Sequence, residues 1–167
     1  VLVPEKYHTC QADIIVTLLA DLINQIIQYN DQLTIQPRIT RFHSRAVPGI
    51  SVKDYLLRTV KYLQIDNSVL LLILVFIDRI SKLNIVTINS LTIHRFIIAS
   101  ISIATKQVSD VYPPNSIFAK IGGLSLQELN LIEMELCKTL NWRFNCPDKL
   151  LQNYYTNLVL NHSQYGF

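Results

Sequence analysis

Phe96-Ile97-Ile98-Ala99-Ser100-Ile101-Ser102-Ile103-Ala104-Thr105-Lys106 is the stretch whose reading decides the fold. No charge intervenes between Arg95 and Lys106. A helix over these residues hides one charge at the edge of an apolar face. A second stretch does the same: in Leu129-Asn130-Leu131-Ile132-Glu133-Met134-Glu135-Leu136-Cys137, Glu133 continues the apolar row of Leu129, Leu136 and Leu140. A charge on an apolar helix face is costly unless it finds a partner. Lys106 and Glu133 are candidates for each other. Such a pair at the rim of a helical groove suits recognition of another protein's backbone better than catalysis.

Working outward, the rest of the chain reads as helices too. Ile14, Ile15, Leu18, Leu19, Leu22, Ile23, Ile26 and Ile27 form one apolar stripe, predicting an amphipathic helix over 9–30. Residues 31–49 read as a loop punctuated by Pro37, Pro48 and Gly49. Ser51 is a candidate cap for a helix through Leu63, with Val52, Tyr55, Leu56, Val60 and Leu63 inward. Asn67 or Ser68 is expected to cap the next, which runs to about Lys82 and is apolar nearly all round, the mark of a buried central helix. The stretch from Asn89 or Ser90 to Val108 follows, broken by Pro113-Pro114. A short helix over 115–121 stops at Gly122-Gly123. Ser125-Leu126-Gln127-Glu128 is a capping box opening a helix to Leu140, and Asp148 is expected to cap a last helix to Leu160. No strand alternation or internal repeat appears. The expected fold is all-α, a five-helix unit with one flanking helix on each side, divided as 1–50, 51–145 and 146–167.

Composition narrows the function classes. Half of the residues are hydrophobic and 16% are charged, with a net charge of +3. That is apolar-rich for one domain and fits a tight core or a face that meets a partner. The mild charge gives no reason to expect nucleic-acid or membrane attraction. Cys10, Cys137 and Cys146 are scattered, without zinc spacing, and read as free thiols in a reducing compartment. No Gly-rich phosphate loop, metal cluster or nucleophile elbow is present, so an enzyme is disfavoured and neither metal nor cofactor is expected. The longest strongly apolar run, Val69 to Ile77, is too short to span a bilayer. No signal or transit pattern opens the chain, and Val1 in place of Met reads as trimming.

Several short stretches, in order, carry a resemblance. They are Phe42-His43-Ser44, Pro48 with Ile50-Ser51-Val52, Tyr55-Leu56 with Arg58, and Ile77-Asp78-Arg79. Then come Asn89-Ser90-Leu91-Thr92-Ile93-His94-Arg95, Ala104-Thr105-Lys106, Ala119-Lys120-Ile121-Gly122-Gly123-Leu124 and Glu128-Leu129-Asn130-Leu131-Ile132-Glu133. From about Thr9 to Phe144 the chain resembles a cyclin box, most nearly the P/U-type cyclins related to the fungal phosphate-pathway cyclin.

The resemblance implies a non-catalytic regulatory subunit that binds a cyclin-dependent serine/threonine kinase. Such a subunit holds the kinase C-helix inward, so that the kinase's own Lys–Glu pair forms. It maps the family's backbone-contacting Lys and Glu onto Lys106 and Glu133, and the apolar groove onto Ile103, Cys137, Trp142 and Phe144. Cys137 departs from the family's larger aliphatic. Asp110 maps toward the kinase activation segment, where it would pair with an arginine and partly replace an activating phosphate. Arg38, Arg41, His43 and Arg45 form a basic patch able to dock acidic or phosphorylated substrate segments or an inositol polyphosphate.

Plainer readings stand beside these. They are an internal strut for Lys106–Glu133, a core role for Trp142, a solvated turn for Asp110, and a loop tie for His43. Asp78-Arg79 are expected to tie down helix ends, and His94-Arg95 to pack and face solvent. The family's Arg-x-Leu docking patch on the first box helix is not preserved in Ser51-Val52-Lys53-Asp54-Tyr55-Leu56. The expected location is intracellular, in nucleus or cytoplasm. The alternative function is a cyclin-fold adaptor that binds a peptide or transcription component without a kinase.

Overall fold

The computed structural model describes residues 1–33 and 38–167. Pro37, one of the expected loop marks, lies outside the described residues. Helices α1 (Ala12–Asp31), α2 (Val52–Leu63), α3 (Asn67–Ser81), α4 (Ile93–Val108), α5 (Asn115–Gly122), α6 (Leu126–Thr139) and α7 (Asp148–Leu160) follow in order. Among the described residues there is no strand, only an isolated bridge between Leu2 and Gly166.

α3 is the centre. Val69 to Ile77 and Ile80 are buried on all sides of it, which explains why no polar face interrupts its sequence. It packs on α1, α4 and α7. α4 is buried from Ile93 to Thr105 apart from Arg95, and lies against α2, α3, α5 and α6. The five helices α2 to α6 form the box, with α1 and α7 packed on one another and on α3. α1 has the length and mean hydropathy of a membrane-crossing helix. Its apolar stripe, however, is spent on α2, α3 and α7.

Local chemistry sets the ends. Ser51 accepts from the Asp54 N–H, and Ser125 with Glu128 forms both bonds of the capping box. Gly123, at φ 74°, closes α5 where the sequence placed its stop. Four boundaries differ from expectation. Asp66, not Asn67 or Ser68, caps α3 by accepting from the Ser68 N–H. Asn67 instead donates to the Tyr7 and Cys10 carbonyls. α4 begins at Ile93 because Asn89 and Thr92 exchange bonds in a tight turn before it. α7 is preceded by Pro147, while Asp148 sits in its first turn and accepts from Tyr7 and His8. α1 starts at Ala12, after a 3-10 turn at Tyr7–Thr9.

Candidate functional site

Lys106 lies in the last turn of α4, where carbonyl ends favour a cation. Its ammonium donates to Glu133 Oε2 at 2.8 Å and Oε1 at 3.1 Å, on the facing helix α6. A third residue completes the arrangement: the Asn115 Oδ1 accepts from Lys106 at 2.6 Å. The Asn115 amide in turn donates to Glu133 Oε1 at 3.3 Å and Asn130 Oδ1 at 2.8 Å. Asn115 opens α5, so three helices meet at one network. The pair is partly open, with side-chain exposures of 28% for Lys106 and 18% for Glu133.

The surroundings are apolar. Cys137, one turn beyond Glu133, is buried. Burial, and then the charge of Glu133, push its thiol up to about 11, so it packs as a small neutral side chain. Ile103, one turn before Lys106 on α4, is buried too.

α6 ends in a Schellman motif. The Trp142 N–H donates to the Cys137 carbonyl and the Asn141 N–H to that of Lys138. Asn141 at φ 53° and Trp142 at φ 59° both adopt the left-handed region, a cost for a residue as bulky as Trp. The result is a Trp142 side chain held out of the core: the residue is 58% exposed. Its indole meets Phe144 edge-on at 6.1 Å, and Phe144 meets Phe76 at 6.3 Å. Arg79 fixes this segment by donating to the Arg143 and Asn145 carbonyls at 2.8 and 2.7 Å. A cleft of about 910 Å³ lies here, lined by Leu83, Gln107, Leu140, Trp142 and Phe144 among others.

The remaining residues lie elsewhere. Asp110 is exposed in the loop between α4 and α5, beside Val111, apart from the network. Arg38, Arg41 and Arg45 are exposed on the segment before α2. His43 Nδ1 accepts from the Thr40 N–H at 2.9 Å, Ser44 donates to the Leu91 carbonyl, and Phe42 is buried against Phe96. Asp78 accepts from Tyr154, and His94 is buried against the Ile50 carbonyl. Arg95 donates to the Arg41 carbonyl at 2.9 Å. Among the described residues, no group of His, Cys, Asp and Glu is arranged to hold a metal.

The described residues thus form an all-helical fold that carries a partly open Lys–Glu pair between α4 and α6, and an aromatic cleft after α6. The cyclin family model matches residues 8–144, and the chain belongs to the cyclin family. It is 36% identical over 163 residues to the Nuc-1 negative regulatory protein preg of Neurospora crassa, covering 95% of this chain and 34% of that protein. It is 32% identical over 149 residues to the PHO85 cyclin PHO80 of Saccharomyces cerevisiae, covering 86% and 51%. Cyclin-U4-1 of Arabidopsis thaliana is 29% identical over 149 residues, covering 86% and 74%. The chain thus spans about a third of the Neurospora protein and half of the yeast one.

Proposed function

We propose that this chain is the kinase-binding domain of a cyclin, which activates a cyclin-dependent serine/threonine kinase by positioning its C-helix. The observation that carries this reading is the partly open Lys106–Asn115–Glu133 network. Every helix end leaves unpaired N–H or C=O groups. An ammonium only donates and a carboxylate only accepts, so Lys106 and Glu133 together match both kinds of end. The internal pair keeps each charge satisfied until a partner helix arrives. Trp142 and Phe144 then supply the apolar anchor, and Cys137 and Ile103 the floor. The domain itself contributes no catalytic group.

Asp110 extends this reading. An exposed carboxylate just beyond α4 pairs with an arginine of the kinase activation segment. Asp110→Ala is expected to lower the activity of an unphosphorylated complex several-fold; unchanged activity would remove Asp110 from the mechanism. On the basic patch, His43 is already engaged with Thr40. Docking of an acidic or phosphorylated segment, or of an inositol polyphosphate, there falls to Arg38, Arg41 and Arg45. The three free cysteines suit a reducing compartment, which supports action inside the cell, in nucleus or cytoplasm. The yeast relative is named as a cyclin of PHO85, so a PHO85-like kinase is the first partner to test.

The test is reconstitution with purified cyclin-dependent kinases, comparing wild type with Lys106→Glu/Glu133→Lys. The exchange keeps an internal pair but reverses the polarity offered to the kinase. Binding and activation by wild type, lost in a variant with unchanged circular dichroism, are expected. Equal binding by both would make the pair an internal strut, and no binding by wild type would favour an adaptor without a kinase.

A further inference from the structure

A second cleft, of about 630 Å³, lies between α1, α3, α7 and the loop leading into α4. That volume is in the range of ligand sites. None of the residues lining it belongs to the Lys106 network or the Trp142 segment. Its floor is aliphatic, with Leu18, Leu22, Leu74 and Leu158. Among the described residues, its walls carry two carboxylates, Asp21 on α1 and Asp78 on α3, and no Lys or Arg.

Neither carboxylate is neutralised. The Tyr154 hydroxyl donates to Asp78 Oδ2 at 2.7 Å. Burial, and then that bond, push the phenol up to about 12, so it stays uncharged. Arg79, next to Asp78, is turned onto the Arg143 and Asn145 carbonyls instead. His162 Nε2 lies 2.8 Å from Asp21 Oδ2, while its Nδ1 accepts from the Gln164 N–H at 3.1 Å. A ring nitrogen that accepts carries no proton, so this is the neutral tautomer donating to Asp21. The cleft therefore holds two uncompensated negative charges in a chain of net charge +3.

The shape narrows the occupant. Past His162 the cleft runs on into a smaller groove beside Asn24, Ser163 and Gln164, sharing Asp21, Gln25, Asn161 and His162 with it. An elongated groove suits an extended chain better than a compact molecule. Gln25, Asn84 and Asn157 line its course. Side-chain amides both donate and accept, as a peptide backbone requires.

We propose that this cleft docks a short extended segment of a partner protein, with one basic side chain facing Asp21 and Asp78 and a neighbouring aliphatic side chain on the Leu22–Leu74–Leu158 floor. This does not depend on the kinase reading, because no residue is shared with that site. No residue of α2 lines it.

The experiment is fluorescence anisotropy with the whole chain and no kinase. The probes are labelled octapeptides on an Ala-Ser background, each with one Lys or Arg at a set spacing from one Leu. A matched set carries Glu in place of the basic residue. At least one basic peptide is expected to saturate at micromolar concentration, with its Glu counterpart at least tenfold weaker. Asp21→Asn/Asp78→Asn should weaken it tenfold or more, and Lys106→Glu/Glu133→Lys should leave it unchanged. No saturation by any basic peptide, equal binding of the Glu set, or full binding by the Asn variant would overturn the proposal. Should that variant fail to fold, amide shift mapping on wild type decides: shifts on α1, α3 and α7 support the site, and shifts confined to α4–α6 overturn it.

Discussion

Lys106 and Glu133 are each costly alone and cheap together. Removing one leaves the other half-buried beside Asn115. Glu133→Ala is expected to cost about 1–2 kcal/mol, a buried-pair penalty discounted for exposure. Urea unfolding of the free chain measures it. Lys106→Met/Glu133→Leu removes both charges and should return stability to within about 1 kcal/mol of wild type while kinase binding stays lost. A double variant that regains binding would argue against a polar role at the interface. Trp142 gives the complementary case. Because its side chain stands in solvent, Trp142→Ala should shift unfolding by less than about 0.5 kcal/mol. Kinase affinity should nevertheless fall by about 2 kcal/mol, roughly thirtyfold, in a titration against the kinase. Both charges were legible in the sequence because each interrupts an apolar row. Asn115 was not, since an amide at a helix start reads as a cap. The exposure of Trp142 was illegible because it follows from two successive left-handed residues, Asn141 and Trp142, which no local pattern announces.

Helices with one strong terminal signal were read almost to the residue. Ser51 and the Ser125–Glu128 box fixed α2 and α6 because capping chemistry is local. The starts of α3, α4 and α7 were misplaced by competition among polar residues. Asp66, Asn67 and Ser68 are all good caps, and distant partners decide which one is free to act: Tyr7 and Cys10 claim Asn67. Gly122 and Gly123 together signal a stop in the sequence, but they do different work. Gly123 provides the left-handed cap, with open space where a Cβ would go. Gly122 permits contact: a Cβ there would lie 2.6 Å from Ile98 Cγ1 and 3.2 Å from the Tyr55 hydroxyl, which donates to the Gly122 carbonyl. Gly122→Ala must therefore push α5 away from α4 and α2. It is expected to destabilise by about 1–3 kcal/mol through overpacking. Gly123→Ala should cost about 1–2 kcal/mol through its positive φ alone. Thermal unfolding of the two variants, with helical content checked by circular dichroism, separates these effects. A Gly122→Ala protein as stable as wild type would mean the α4–α5 contact is loose.

At the scale of the whole molecule, the box was legible and its fastening was not. Periodicity identified seven helices and a buried centre. It carried no trace of the terminal belt, in which Tyr155 donates to the Pro4 carbonyl, Gln152 to that of Glu5, and Val3 to that of Gly166. Such bonds join residues far apart in sequence through backbone groups that every sequence possesses. His94 is another fastening of this kind, linking α4 to the segment before α2. Its Nε2 lies 2.7 Å from the Ile50 carbonyl, which can only accept, so that nitrogen holds the proton. Its Nδ1 is buried without a partner among the described residues. Protonating Nδ1 would place an N–H and a positive charge in an apolar pocket against Tyr55. Burial accordingly holds the imidazole below its ordinary 6.5, with the Ile50 bond opposing only in part. The unfolded chain then binds the extra proton more readily than the folded one, so this contribution is complete above about pH 6.5 and is lost as the pH falls below it. Unfolding free energy from urea titrations is expected to decline between pH 7.5 and 5.5. In His94→Gln, stability at pH 7.5 should be lower and the decline shallower, because the titrating group is gone. An identical slope in both proteins would show that His94 takes its proton freely and that the α4 fastening does not depend on its neutral form.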